Sequence, residues 1–144
     1  MNYPLNYSFQ RTSLPLIQIQ FQGYFIPILL DTGSDSNYVD PRLAKQFKDE
    51  MKVVASNNRT FGVEGTEHES DVVEFSFEFE RQTYTERFVI LPDNNGLQKV
   101  HIDEKYQLLG IIGTRFMLKH GWVIDFSKPS VRTLRVKKVE KVVE

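Results

Sequence analysis

The chain has 144 residues, 40% of them hydrophobic, which suits one globular domain around a single core and is too short for two full ones. Lys+Arg is 18 against Asp+Glu 19, a formal net charge of -1, so there is no global basic field of the kind that attracts nucleic acid. The lack of cysteine excludes a disulfide framework, a thiolate zinc site and a cysteine nucleophile together.

The opening "MNYPLNYSFQRTSLPL" has no basic leader ahead of a continuous apolar segment, and no run approaches membrane-spanning length. A cytoplasmic protein without membrane or nucleic-acid partners is the expectation. "LPLIQIQF" (14–21) alternates apolar and polar residues, and Gly23 separates it from "YFIPILLD"; the pattern predicts two antiparallel strands joined by a tight turn. Pro27 leaves the pairing of the second strand incomplete. "FIPILLDTGSDSNYVD" (25–40) then drives an apolar run into Asp31 and breaks at once into Thr32-Gly33-Ser34. A carboxylate ending a buried strand needs a reason, because burying one without a partner is costly.

"DPRLAKQF" (40–47) places Asp before Pro at a helix start of one or two turns, and "KVVA" (52–55) predicts a short strand. "FGVEGTEHES" (61–70) reads as an exposed hairpin tip ahead of the alternating "VVEFSFEFE" (72–80). "TYTERFVIL" (83–91) is a further strand, "PDNNG" (92–96) is turn chemistry, and 97–107 is looser. In "LLGIIGTRFMLKHGWVIDF" (108–126) an extended apolar start gives way to a short helix with a basic last turn and Gly121 as its stop, then to another strand. The end, "VRTLRVKKVEKVVE", reads as a solvated edge strand and a mixed-charge tail. His68, His101 and His120 are scattered without ligand spacing and are assigned to surface or turns, with no metal site; Trp122, Phe116 and Met117 are assigned to the core. The expectation is a mostly β single domain over 1–144, with its core at about 14–126, a C-terminal strand and tail at 127–144, and one clear short helix near the C-terminus.

Asp-Thr-Gly alone is weak evidence of function, but here it follows an apolar strand and is matched by a second apolar-apolar-Gly segment, Ile111-Ile112-Gly113, leading into a helix. At these residues the chain resembles the retropepsins, the retroviral-type aspartic proteases and their cellular and bacterial relatives. "LLDTGSD" is similar to the catalytic loop of that family, "IIGTRFMLKHG" to its site wall and C-terminal helix, and "FGVEG" stands where the family has its flap. The resemblance spans about Leu14 to Phe126. It implies a closed barrel-like acid-protease fold, Asp31 as the catalytic aspartate, Thr32 locking two such loops together, and Phe61, Gly62, Val63, Glu64 and Gly65 as flap. No cofactor is implied.

Two carboxylates held close share one proton, one serving as base toward a water and the other as acid toward the peptide carbonyl. Only one Asp-Thr-Gly is present, so the resemblance implies a homodimer whose site pairs Asp31 with its partner-chain copy, acting on peptide or protein substrates. The N-terminal residues and the C-terminal strand are the expected intersubunit sheet. Gly33 lets the loops approach closely, and a Ser34 hydroxyl donating to Asp31 would give an acid-shifted activity profile. Two departures from the retroviral pattern stand out. Glu64, Glu67 and Glu69 make the hairpin tip acidic, and Thr114 stands directly after the apolar-apolar-Gly, with Arg115 one later as a bracing partner for Asp35. A retropepsin-like domain that dimerises or binds peptide without cutting is the competing expectation.

Overall fold

A computed structural model describes residues 2–61, 67–100 and 107–133. The strands are β1 (Asn2–Pro4), β2 (Leu16–Phe21), β3 (Tyr24–Leu30), β4 (Tyr38–Val39), β5 (Lys52–Phe61), β6 (Glu67–Phe79), β7 (Gln82–Ile90), β8 (Gly110–Ile112), β9 (Val123–Asp125) and β10 (Ser130–Arg132). Three α-helices join them, α1 (Asn6–Thr12), α2 (Pro41–Gln46) and α3 (Thr114–His120), with a 3-10 turn at Gly96–Lys99. The helix near the C-terminus is therefore accompanied by two others.

The larger sheet runs β2-β3-β8-β4-β7-β6-β5 and closes on itself where β2 meets β6 at Gln20 and Glu78. Closure joins six strands in a ring, and β5, paired only with β6, stands outside it. The β2–β3 and β6–β7 hairpins turn through Gln22-Gly23 and Glu80-Arg81, all at positive φ, the backbone sense that matches the twist of paired strands. Strand alternation decides which side chains enter the barrel. Ile17, Ile19 and Phe21 of β2, Ile26, Ile28 and Leu30 of β3, and Val73, Phe75, Phe77 and Phe79 of β6 all join one buried cluster. The residues between them, such as Gln18, Leu29 and Glu74, face outward and are half-buried.

At one end of the barrel β1, β10 and β9 form a separate three-stranded sheet. The N-terminal strand, expected in an intersubunit sheet, pairs inside the chain on one side, with Tyr3 opposite Val131 of β10; most of the C-terminal segment expected beside it, 134–144, lies outside the described residues. α1 was not apparent in the sequence, and it has no side-chain N-cap. Tertiary ties hold it. Leu5 is fully buried with its N–H on the Pro129 carbonyl at 2.8 Å, and the Ser8 hydroxyl donates to the Leu14 carbonyl while accepting the Leu16 N–H at 2.8 Å.

α3 is fastened to β7 through Glu86, which accepts from Lys119 Nζ at 2.9 Å and lies 2.8 Å from His120 Nε2. His120, expected on the surface, instead packs its ring edge-on against Tyr84 and beside Phe116. Trp122, Phe116 and Met117 are in the core as expected. Burial by itself raises the Glu86 carboxyl, but the hydrogen bonds and charges of Lys119 and His120 outweigh it and hold the group below its ordinary value. A depressed carboxylate contributes stability that is complete above its unfolded value and is lost as the pH falls through its folded one. Glu86→Gln should therefore cost about 1–2 kcal/mol in urea unfolding at neutral pH, a gap that shrinks as the pH drops below about 4.

Candidate active site

β8 lies between β3 and β4, parallel to the first and antiparallel to the second: Leu30 stands beside Ile112, and Tyr38 beside Ile111. This threading brings two loops together. The chain leaving β3 is Asp31–Asn37, and the chain leaving β8 is Gly113 and the start of α3. Asp31 donates its N–H to the Ile112 carbonyl at 2.9 Å, so the backbone ladder continues to the residue itself. Beyond it, Thr114 donates from its backbone N–H (2.7 Å) and its hydroxyl (3.0 Å) to the Ser34 carbonyl, and the Asn37 side chain accepts the Gly113 N–H at 3.0 Å.

The glycines in this segment answer to space. A Cβ on Gly113 would stand 2.4 Å from the Ser36 carbonyl oxygen and 2.7 Å from that of Ser34. One on Gly110 would meet Ile28 Cδ1 at 2.7 Å and the Tyr38 carbonyl oxygen at 2.9 Å. Gly33 donates its N–H to Asp31 Oδ1 at 2.9 Å, and a Cβ there would sit 3.2 Å from the same oxygen. Its φ lies outside the left-handed region, so the requirement is close approach to the carboxylate and not backbone handedness.

Asp31 is half-buried, and Thr32 is exposed on the single chain. The Ser34 hydroxyl donates to the Ser36 carbonyl at 2.9 Å, a different acceptor from the Asp31 carboxylate expected for it. A loop-closing bond thus uses the proton that was assigned to Asp31. Arg115 Nη2 stands 3.6 Å from Asp35 Oδ2 with both side chains largely exposed, a geometry worth about 0–1 kcal/mol within one chain. Ile111 and Ile112 divide between the two faces of β8: Ile112 is fully buried inside the barrel, and Ile111 packs on the outer face with Leu29. Gly62, Val63, Glu64 and Gly65 lie outside the described residues, as does His101; Phe61 is described as backbone, paired with Glu67 across the hairpin. Asn37, Gly110 and Thr114 were missed as loop fasteners, and only the repeated glycine spacing in "GIIG" signalled one of them.

No protein-family model and no curated protein sequence matches the chain. Solved structures do. The EIAV protease complexed with an inhibitor superposes with a TM-score of 0.55 at 15% identity, over 75% of this chain and 88% of that one. The retroviral protease-like domain of Ddi1 from Leishmania major gives 0.55 at 13%, over 88% and 98%. A retropepsin-like aspartic protease from Rickettsia conorii gives 0.57 at 14%, over 92% and 88%. The chain therefore has the retropepsin-like fold, a mostly β closed barrel.

Gly113→Ala should force the Ser34–Ser36 loop away from β8 and cost about 3 kcal/mol, the upper end of overpacking losses. Urea unfolding measures it; Thr114→Val, which removes only one of the two bonds to Ser34, should cost about 1 kcal/mol in the same assay.

Proposed function

We propose that the protein is a homodimeric aspartic endopeptidase that hydrolyses peptide bonds in extended substrates, with Asp31 as its catalytic residue. The observation that carries this reading is the clamped loop itself. Asp31 is held at the end of a barrel strand, its carboxylate oxygen fixed by the Gly33 N–H, on a loop braced from beneath by Thr114 and Asn37. The Gly33 bond alone is an Asx turn such as Asp125 also makes with Ser127; the brace from Thr114 and Asn37 is what sets Asp31 apart and suits a general acid–base residue.

One such loop supplies one carboxylate, and the chemistry uses two. Two Asp31 side chains from two chains share a proton because both cannot ionise at close range. The ionised member takes a proton from the attacking water as the protonated member donates to the carbonyl oxygen, and the bond to the leaving amine breaks when the tetrahedral species collapses. Neither metal nor covalent nucleophile enters this sequence. Thr32, exposed on one chain, is free to reach the partner loop, and the segment between Phe61 and Glu67 is assigned the role of flap by the likeness to retropepsins.

The likeness in fold supports dimerisation, and the three-stranded end sheet supports a place for it. The sheet runs β1-β10-β9, so among the described residues the outer edges of β1 and β9 have no strand partner, and exposed apolar side chains flank β9. Val123 on that strand is 40% exposed, Phe126 just beyond it 70%, and Leu118 of α3 84%. A strand edge flanked by exposed apolar side chains is a pairing surface for a second copy. No helix among the described residues is long and apolar enough to cross a membrane.

Cleavage of a fluorogenic peptide library from acidic to neutral pH tests the reading. Asp31→Asn should lower turnover by at least about 10³-fold while the dimer persists in a mass measurement. A wild-type protein that retains peptides without cutting them, or an Asp31→Asn variant that cuts normally, would contradict it.

A further inference from the structure

We propose that Asp40 is a positioning residue: its buried carboxylate holds the chain segment that walls the outer face of β3 beside Asp31, and so sets which substrate side chains are admitted. The substrate part of this proposal rests on the protease reading above.

Asp40 follows β4, and its side chain is 0% exposed. It caps α2 by accepting the Arg42 N–H at 2.9 Å, and a cap needs no more than that. The carboxylate does more. Oδ1 also accepts from Arg42 Nε at 2.9 Å, and Oδ2 accepts from Arg42 Nη2 at 3.3 Å and from Asn95 Nδ2 at 3.2 Å. Arg42 Nη1 in turn donates to the Gln107 side-chain oxygen. One buried charge thus reaches Asn95 directly and Gln107 through the guanidinium. Burial alone would raise this carboxyl, and its bonds to Arg42 and Asn95 outweigh that and hold it low.

Asn95 passes the constraint on. Its side-chain oxygen accepts the Leu97 N–H at 3.0 Å, capping the 3-10 turn, and its amide also donates to the Pro92 carbonyl at 2.9 Å. Leu97 is buried with Leu16 and Leu108, against half-buried Leu29, Val100 and Ile111. This second cluster lies on the outside of the barrel. Leu29 is two residues before Asp31, on the strand face opposite Ile28 and Leu30, and Ile111 stands beside Leu29 in register. The clasp therefore determines where Leu97 and Val100 sit relative to the face from which Asp31 projects.

Stability alone does not require the arrangement: Arg42 is 42% exposed, and replacing buried charge pairs by apolar residues of similar volume is often neutral or stabilising. A planar guanidinium forked onto a carboxylate gives position and direction. That is what a wall beside a reacting centre needs.

Two variants test this. Asn95→Ala cuts the link to the wall and leaves the Asp40–Arg42 pair and the α2 cap in place. Asp40→Asn keeps a capping oxygen and removes the charge. In each, amide hydrogen exchange at Leu97 and Val100 should quicken at least about tenfold with Ile112 unchanged. Steady-state kinetics on paired peptides, with Leu or Ala before the cleaved bond, should show KM rising about tenfold for Leu and kcat little altered. Unchanged exchange at Leu97 and Val100 in Asp40→Asn overturns the clasp, because that variant leaves the Asn95 oxygen on the Leu97 N–H. Faster exchange with equal KM changes for both peptides overturns its role in selection. If the wild-type protein cuts no peptide, the protease reading fails instead, and the exchange data decide the clasp by themselves.

Discussion

The insertion of Gly110–Ile112 between β3 and β4 is the constraint on which the rest of this molecule depends. A strand parallel to one neighbour and antiparallel to the other can be reached only by a chain returning from far along the sequence. Here that chain brings Gly113 against the turn that follows Asp31. Space at the crossing is so limited that neither flanking glycine could carry a Cβ without moving backbone or core atoms. Loop geometry, and with it the attitude of the Asp31 carboxylate, is thus fixed by contacts between segments about eighty positions apart.

The barrel uses its two faces differently. Inside, a phenylalanine-rich cluster and aliphatic residues from six strands supply apolar burial, the dominant favourable term in folding. Outside, Leu29 and Ile111 pack under the segment around Leu97, and Asp31 follows Leu29 by two residues. A carboxylate ending an apolar strand stops being anomalous in this setting. Strand alternation puts Asp31 on the outer side with Leu29, where it is half-buried, while Leu30 and Ile112 are buried inside. In the proposed dimer its second partner is the Asp31 carboxylate of the other chain, and no residue of its own core is required to neutralise it.

Most of the barrel was legible because alternation states which face of each strand is buried. "LPLIQIQF" and "VVEFSFEFE" declare their inward residues without ambiguity, and the helix ending at Gly121 is marked by its basic last turn. β1, α1 and the β9–β10 pairing were less so, since they are three to seven residues long and held by tertiary bonds such as Leu5 to Pro129. Asp31 stood out through its position after an apolar run. Its fasteners did not, because Thr114 and Asn37 act across long separations and neither residue type is distinctive. Ser34 shows the converse limit: a hydroxyl three residues from a carboxylate has several acceptors within reach, and the local turn claimed it. Asp40 was legible as a helix cap but not as a clasp, because Asn95 and Gln107 come near it only in the folded chain.

The central claim is that one functional site needs an Asp31 from each of two chains, and subunit mixing tests it most directly. Wild-type protein is exchanged with rising proportions of Asp31→Asn protein at constant total concentration, and peptide cleavage is followed. If each site is shared, activity falls as the square of the wild-type fraction, to about a quarter at equal proportions. A linear fall, to about half, would mean that each chain works alone and would contradict the account.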